Sequence, residues 1–166
     1  MVVLNKDVHR ALHETYPDAL FFEYVNGQEL TIDCIFDSSG SLLGTAPRLR
    51  EKTLGGAAIV SRTCRADFSE ELVARMAEKW IFKGCVNFQC IVQDGTPFVT
   101  DVNLRYPSGG LPLTVESGMN IPSLMLRLLR GEQVRSSECK VDGLDRTMLR
   151  WLDEVYIEGN RGAIRI

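Results

Sequence analysis

Two β-hairpin signals constrain the fold of this chain more than any other feature. The segments CVNFQCIV and TPFVTDVN are rich in β-branched and aromatic residues and flank the turn sequence QDG. A second hairpin is predicted at SSG (38–40), between ELTIDCIFD and SLLGTAPRL. Strand, helix and hairpin signals follow one another without a regular β-α-β alternation. The sequence therefore predicts an α+β fold, a mainly antiparallel sheet with helices packed on one face.

Further elements are predicted around these hairpins. ALFFEYV is predicted to be a strand joined to ELTIDCIFD by a turn at NGQ. Helices are predicted at residues 5–16, with Asn5 as the cap and Pro17 as the stop, and at 67–80. Asp67 and Glu70 have the spacing of a capping box. A last helix, PSLMLRLLR, begins at Pro122, which suits a first helical position.

Composition limits the class of protein. A chain of 166 residues is predicted to form a single domain over 1–166. Its net charge of −3 argues against a nucleic-acid partner, and no apolar run is long enough to predict a membrane span or a signal peptide. The five cysteines form no C-x-x-C pair, so neither a disulfide framework nor a zinc site is expected. A reducing, cytoplasmic setting is predicted.

A polar stripe lies beside a glycine-rich turn. In FVTDVNLRYPSGG, the residues Asp101, Asn103 and Arg105 alternate along a strand and therefore face one side, with Val99 expected on that side too. Whether Gln89 joins them depends on the turn. A two-residue Asp94–Gly95 loop would place Gln89 on the face opposite Asp101, whereas a three-residue loop with Gly95 left-handed and a bulge makes it a diagonal neighbour of Asp101.

These side chains suggest a cation site. Oxygens from Gln89, Asp101 and Asn103 are hard ligands of the kind that Mg²⁺ uses together with water and phosphate oxygens. Arg105 could bind a phosphate or a carboxylate, and the glycines allow a ligand close to the backbone. The alternative is a solvated strand face in which Arg105 pairs with Asp101.

Several ordered motifs resemble those of one family. TDVNLR is similar to the E-x-N-P-R signature of ATP-grasp enzymes, LFFEYVNGQELTIDCIFDSSGSLLG to their adenine hinge and following strand, and SGGLPLTVESGMNIPSLMLRLLRGE to their closing loop and helix. The resemblance covers residues from about 20 to 132. It is greatest to the carbamoyl-phosphate-synthase-like branch, which also has Gln at the position of Gln89.

The resemblance implies a role for each matching residue. It implies Mg²⁺, as one or two ions for which Mn²⁺ could substitute, held against ATP by Gln89, Asp101 and Asn103. Arg105 would steady the transferred phosphoryl group or the acyl phosphate. The implied nucleotide contacts are Glu23 and Val25 at the adenine, Glu29 at the ribose, and one of Arg48, Arg50 and Lys52 at the triphosphate.

The implied reaction is ATP-driven activation of a small carboxylate to an acyl phosphate, followed by attack of an amine. Two departures from the family pattern are Asp101, where Glu is usual, and Leu104, where Pro or Gly is usual. The N-terminal nucleotide lobe of the family has no counterpart in the sequence, so the chain is expected to be a C-terminal lobe that is inactive by itself and that needs the missing lobe in cis. The alternatives are a degenerate module that binds nucleotide or supports assembly without catalysis, and an interaction domain; a homodimer is a further expectation.

Overall fold

The computed structural model describes residues 6–151. The elements in chain order are α1 (Lys6–Thr15), β1 (Gln28–Phe36), β2 (Leu42–Leu54), β3 (Ala57–Thr63), α2 (Ser69–Ala77), β4 (Gly84–Gln93), β5 (Thr96–Asn103), α3 (Leu111–Glu116), α4 (Ile121–Leu129) and β6 (Thr147–Leu149), with a 3-10 turn at Ser136–Glu138.

The strands form one sheet in the order β5-β4-β1-β2-β3-β6, and every neighbouring pair is antiparallel. β1 lies in the middle of the sheet and is buried along almost its whole length. Continuous burial of this kind requires cover on both faces. The predicted α+β class with an antiparallel sheet is confirmed.

The helices differ from the prediction in one respect, because they cover both faces of the sheet rather than one. Alternate β1 residues feed two separate cores. Ile32 and Phe36 pack with Val73 of α2 on one face. Ile35 packs with Ile121 and Leu124 of α4 on the other. β1 is apolar towards the α2 layer but mixed towards the α4 layer, where the polar residues Thr31 and Asp33 accompany Ile35 and are buried as well.

The β4–β5 hairpin decides which residues share a face. It turns through two residues, Asp94 and Gly95, whose φ values of 49° and 78° are both left-handed. A bulge then places Thr100 as an extra residue, so that Cys90 pairs with Val99 but Gln89 pairs with Asp101. Gln89 and Asp101 are therefore direct neighbours on one face, although a two-residue turn was expected to place them on opposite faces, because the bulge shifts the register by one residue. Val99 lies on the other face, contrary to the prediction.

The segment before β1 is not a strand. Residues 19–25 have no partner strand, and Leu20, Phe22 and Tyr24 are exposed. The chain instead approaches the end of β4 at Gly27, where an added Cβ would lie 2.2 Å from the carbonyl oxygen of Val92. The prediction of a strand at 19–25 in a hairpin with β1 was wrong, because these residues are irregular and the position beside the start of β1 is taken by the end of β4.

Helix boundaries follow the sequence signals only in part. Asn5 lies outside the described residues. α2 begins at Ser69 without the capping box predicted from Asp67 and Glu70. α4 begins at Ile121, one residue before Pro122, and Asn120 caps it by accepting a hydrogen bond from the Ser123 amide at 3.1 Å. β3, α3 and β6 were not predicted.

An ion-pair network fixes the chain after α4. Arg127 donates to Glu138 Oε1 at 2.7 Å and to Glu132 Oε2 at 3.2 Å. The hydrogen bond from Arg127, with a further one from the Arg135 amide, lowers the pKa of Glu138 to about 2. The 3-10 turn is thereby attached to the C-terminal end of α4.

Candidate functional site

Two rows of polar side chains cross the face of the sheet that α3 and α4 cover. Residues directly opposite each other on neighbouring strands share a face. The first row, from β2 to β5, is Arg48, Thr31, Gln89 and Asp101. The second row, from β1 to β5, is Asp33, Asn87 and Asn103. The fold therefore brings the three predicted metal-site residues to one corner of this face.

The buried end of the rows is organised around Asp33, which has no exposed surface. Its carboxylate accepts hydrogen bonds from Arg48 Nε and Nη2, each at 3.3 Å, from Asn87 Nδ2 at 2.6 Å and from Thr114 Oγ1 at 2.5 Å. Four donors from β2, β4 and α3 satisfy this buried charge. Sequence reasoning missed Asp33 and Asn87, although each is a polar residue inside a strongly apolar strand. Thr114 gave no comparable signal.

Arg50 is the centre of a second group of hydrogen bonds, which lies nearer the solvent. Its side chain is 8% exposed. Its guanidinium group forms an ion pair with Glu29, donates to Gln89 Oε1 at 2.8 Å and donates to the carbonyl oxygen of Gly56 at 2.6 Å. Arg50 thus contacts both Glu29 and Gln89, for which the resemblance implied separate roles.

The metal-site candidates on β5 are less buried. Asp101 is exposed and Asn103 is half-buried. Asn103 Nδ2 donates to Asp101 Oδ2 at 2.6 Å. Oδ1 of each residue makes no hydrogen bond within the described part of the chain. No group of three His, Cys, Asp or Glu side chains suited to a metal occurs among residues 6–151, so any ion here needs the amide oxygens and ligands from outside the protein.

A glycine-rich loop at residues 106–110 closes over the polar rows. It encloses a cavity of about 60 Å³ lined by Arg48, Arg50, Asn87, Gln89 and Arg105, among others. Arg105 Nη1 donates to the carbonyl oxygen of Tyr106 at 3.0 Å and to Ser108 Oγ at 3.3 Å. It does not pair with Asp101, so the alternative of a local ion pair on a solvated strand face is not observed.

Gly110 makes the close approach of this loop possible. A Cβ at this position would lie 2.0 Å from Arg48 Cζ, inside the volume that the guanidinium group occupies. The glycine therefore lets the loop cross directly above the buried arginine.

The remaining predicted site residues lie apart from this cluster. Glu23 is exposed and Val25 is half-buried in the irregular segment before β1. Lys52 is exposed on β2, beyond Arg50. Within residues 6–151, none of the three forms a side-chain hydrogen bond or an ion pair with the polar rows.

The cysteines do not take part in the site. All five are free. Burial, with the nearby charge of Asp33, raises the pKa of Cys85 to about 12, and the same two causes raise the pKa of Cys34 well above its usual value. These thiols stay protonated near neutral pH and are packed as small apolar groups.

Comparison with solved structures identifies the architecture. The biotin carboxylase domain of a thermophilic 2-oxoglutarate carboxylase bound to bicarbonate matches with a TM-score of 0.61 and 14% identity, over 72% of this chain and 29% of that one. N5-carboxyaminoimidazole synthetase from Staphylococcus aureus complexed with ADP matches with a TM-score of 0.55 and 11% identity, over 69% and 32%. The Hydrogenobacter thermophilus 2-oxoglutarate carboxylase biotin carboxylase domain dimer, with MgADP and bicarbonate, gives 0.55 and 16%, over 69% and 27%. This chain spans less than a third of the length of each.

None of the described helices is long and apolar enough to cross a membrane.

Two further comparisons bear on identity. None of the curated proteins matches the sequence. A family model described as "ATP-grasp in the biosynthetic pathway with Ter operon" matches residues 15–152. The chain therefore belongs to this ATP-grasp family.

Proposed function

We propose that this chain forms one side of a Mg-ATP site in a ligase that joins a carboxylate to an amine through an acyl phosphate. The observation that carries the proposal is the convergence of Gln89, Asp101 and Asn103 on one face beside Arg105 and the glycine loop. Family membership supports ATP as the energy source. The carbamoyl-phosphate-synthase-like branch is supported only by Gln89 and remains the narrower form of the proposal.

The donor set fits a magnesium ion that is shared with phosphate oxygens. Asp101, Asn103 and Gln89 offer one carboxylate and two amide oxygens, which are hard but carry only one charge. Among the described residues, neither Asp101 Oδ1 nor Asn103 Oδ1 accepts a hydrogen bond. When bound, the ion would neutralise charge on the triphosphate during phosphoryl transfer.

Gln89 can serve this site only if Arg50 moves. The Arg50 guanidinium donates to the same oxygen, Gln89 Oε1, that the metal would use. A divalent ion about 5 Å from a guanidinium group is repelled by roughly 7 kcal/mol at an effective dielectric constant near 20. Arg50 therefore leaves Gln89 when the metal arrives, and the triphosphate is the anion that replaces Glu29 as its partner.

Arg50 is better placed for the triphosphate than the other basic candidates. Arg48 is buried and bonded to Asp33, so its charge is already neutralised. Arg50 borders the cavity and is attached to Gly56 at the turn between β2 and β3. Lys52 is exposed and remains a second contact.

The nucleotide base and ribose are assigned to the segment before and at the start of β1. Glu23 and Val25 would contact the adenine, and Glu29, once released by Arg50, would accept hydrogen bonds from the ribose hydroxyls. Within residues 6–151 Arg105 donates only to neutral oxygens, and it would bind the acyl phosphate. Because the chain spans under a third of the related structures, we assign the other side of the clamp to a second lobe in cis.

A second candidate is a module that binds nucleotide without catalysis. Two observations favour it: Arg50 occupies Gln89 Oε1, and the site contains a single carboxylate, which is shorter by one methylene than the usual Glu. Such a module would bind ATP through its arginines with little dependence on magnesium.

Calorimetric titration of the 166-residue chain with ATP, with and without Mg²⁺, separates the two candidates. The ligase site predicts that magnesium tightens ATP binding and that Asp101→Asn and Asn103→Ala remove this effect. Asp94→Asn, in the exposed turn of the same hairpin, is the matched control and should leave it unchanged. Magnesium-independent binding would support the second candidate, and absence of ATP binding in both conditions, by this chain and by the protein with its second lobe, would contradict both. In the protein with its second lobe, Asn103→Ala should abolish ADP release that depends on a carboxylate and an amine.

A further inference from the structure

The loop at 106–110 spans most of the width of the sheet. It leaves β5 at one edge of the sheet, and Gly110 then lies against Arg48 of β2. At Gly109 an added Cβ would lie 3.2 Å from the backbone nitrogen of Ala58 on β3. Pro107 and Gly110 are buried, so the loop is packed onto the sheet rather than projecting from it.

The side chain of Arg150 holds the loop at the far edge of the sheet. Arg150 follows β6, the strand at the opposite edge from β5, and its amide donates to the carbonyl oxygen of Ile59 at 2.8 Å. Its side-chain Nη1 donates to the carbonyl oxygen of Gly109 at 3.2 Å. Arg105 bonds the same loop from the β5 side, at Tyr106 and Ser108. Two guanidinium groups from opposite edges thus fix one short loop.

The charge balance around the loop is unequal. Arg48 is paired with Asp33, and Arg50 with Glu29. Arg105 and Arg150 form no ion pair with a carboxylate anywhere in residues 6–151, and each donates only to neutral oxygens. The loop at 106–110 is therefore flanked by two guanidinium charges that have no carboxylate partner within residues 6–151, and this arrangement favours binding of an anion.

We propose that Arg150 is a positioning residue for this loop: it fixes Gly109 so that Arg105 and Ser108 present their donors to an anionic phosphoryl or carboxylate group. The loop is then complete only when the chain after α4 returns to add β6 to the sheet. For the identity of the anion, the inference rests on the proposed function. For the positioning itself, it rests on the contacts alone.

The test compares Arg150→Gln and Arg150→Lys in the full chain by NMR. Arg150→Gln should lower the backbone order parameters of Gly109 and Gly110 from about 0.85 towards 0.6. Arg150→Lys retains a donor for the Gly109 carbonyl oxygen and should restore most of the order. Arg75→Gln, an exposed change on α2 at the other face, is the matched control. Slow amide exchange in β3 reports whether β6 stays paired with it. A variant that loses this pairing no longer tests the side chain alone. If Arg150→Gln loses it, Arg150→Lys is the deciding variant.

The ligand arm uses inorganic phosphate as the probe. Phosphate should shift the amide signals of Gly109 and Gly110 in a saturable manner, about threefold more weakly in Arg150→Gln than in Arg75→Gln. Unchanged order parameters in Arg150→Gln with β6 paired would overturn the positioning role. Reduced order without any phosphate response in the unmodified chain would instead confirm the positioning role and count against the anion site of the proposed function.

Discussion

The buried carboxylate of Asp33 offers the sharpest test of how this sheet is held together. It has no exposed surface and accepts four hydrogen bonds from three side chains. Asp33→Asn keeps the shape but removes the charge opposite Arg48, which is only 3% exposed. It also turns an amide nitrogen towards groups that are themselves donors.

Breaking a buried ion pair in this way costs about 3–5 kcal/mol, because the remaining guanidinium group is left buried without a counter-charge. Against a typical total stability of about 5–15 kcal/mol, this is a large fraction. For a chain of this size we expect the thermal midpoint to fall by roughly 6–20 °C.

Urea denaturation followed by circular dichroism measures the loss directly. The control is Glu51→Gln, which breaks the ion pair of Glu51 with Arg62, where both side chains are over a third exposed. That change should cost less than about 1 kcal/mol. If Asp33→Asn costs no more than the control at an unchanged denaturant slope, the assignment of Asp33 as the structural centre of the site is wrong.

Two further outcomes are expected. The pKa of Glu138 is lowered to about 2 in the folded chain, so its contribution to stability is fully present above its unfolded value of 4.5 and is lost as the pH falls towards 2. A plot of the thermal midpoint against pH should therefore be flatter between these two pH values in Glu138→Gln than in the unmodified chain. An equally steep plot would contradict the ion-pair assignment of Glu138. The Cys85 thiol, with a pKa of about 12, should react with Ellman's reagent at pH 8 only when urea unfolds the chain, whereas rapid reaction in the native state would show that the α4 layer opens readily.

Much of the sheet could be predicted from the sequence, because its hairpins are encoded locally. The β4–β5 turn at Asp94–Gly95 and the alternation of Asp101 and Asn103 are short-range signals, and both occur in the structure. The strand predicted at 19–25 failed because strand formation depends on a partner, and its apolar composition does not show that Gly27 packs against the end of β4.

The candidate site was predictable only where residues are close in the chain. The spacing within TDVNLR locates Asp101, Asn103 and Arg105, but the pairing of Gln89 with Asp101 depends on a bulge that no local signal specifies. The contact between Arg150 and Gly109 joins residues 41 positions apart and required the order of the strands. Asp33 was missed because burial of a charge becomes evident only when its donors from three elements are assembled.

The bulge at Thr100 has a consequence for how this segment can vary in length. Loss of Thr100 would leave a regular ladder in which Asp101 still pairs with Gln89, because Thr100 is the residue of β5 that has no partner on β4. Gain of one residue at the same point, without a second irregularity, would rotate Asp101 and Asn103 into the α2 layer. Shortening β5 at Thr100 should keep Gln89, Asp101 and Asn103 on one face, whereas lengthening it at that point should separate them. The sheet itself should form after either change.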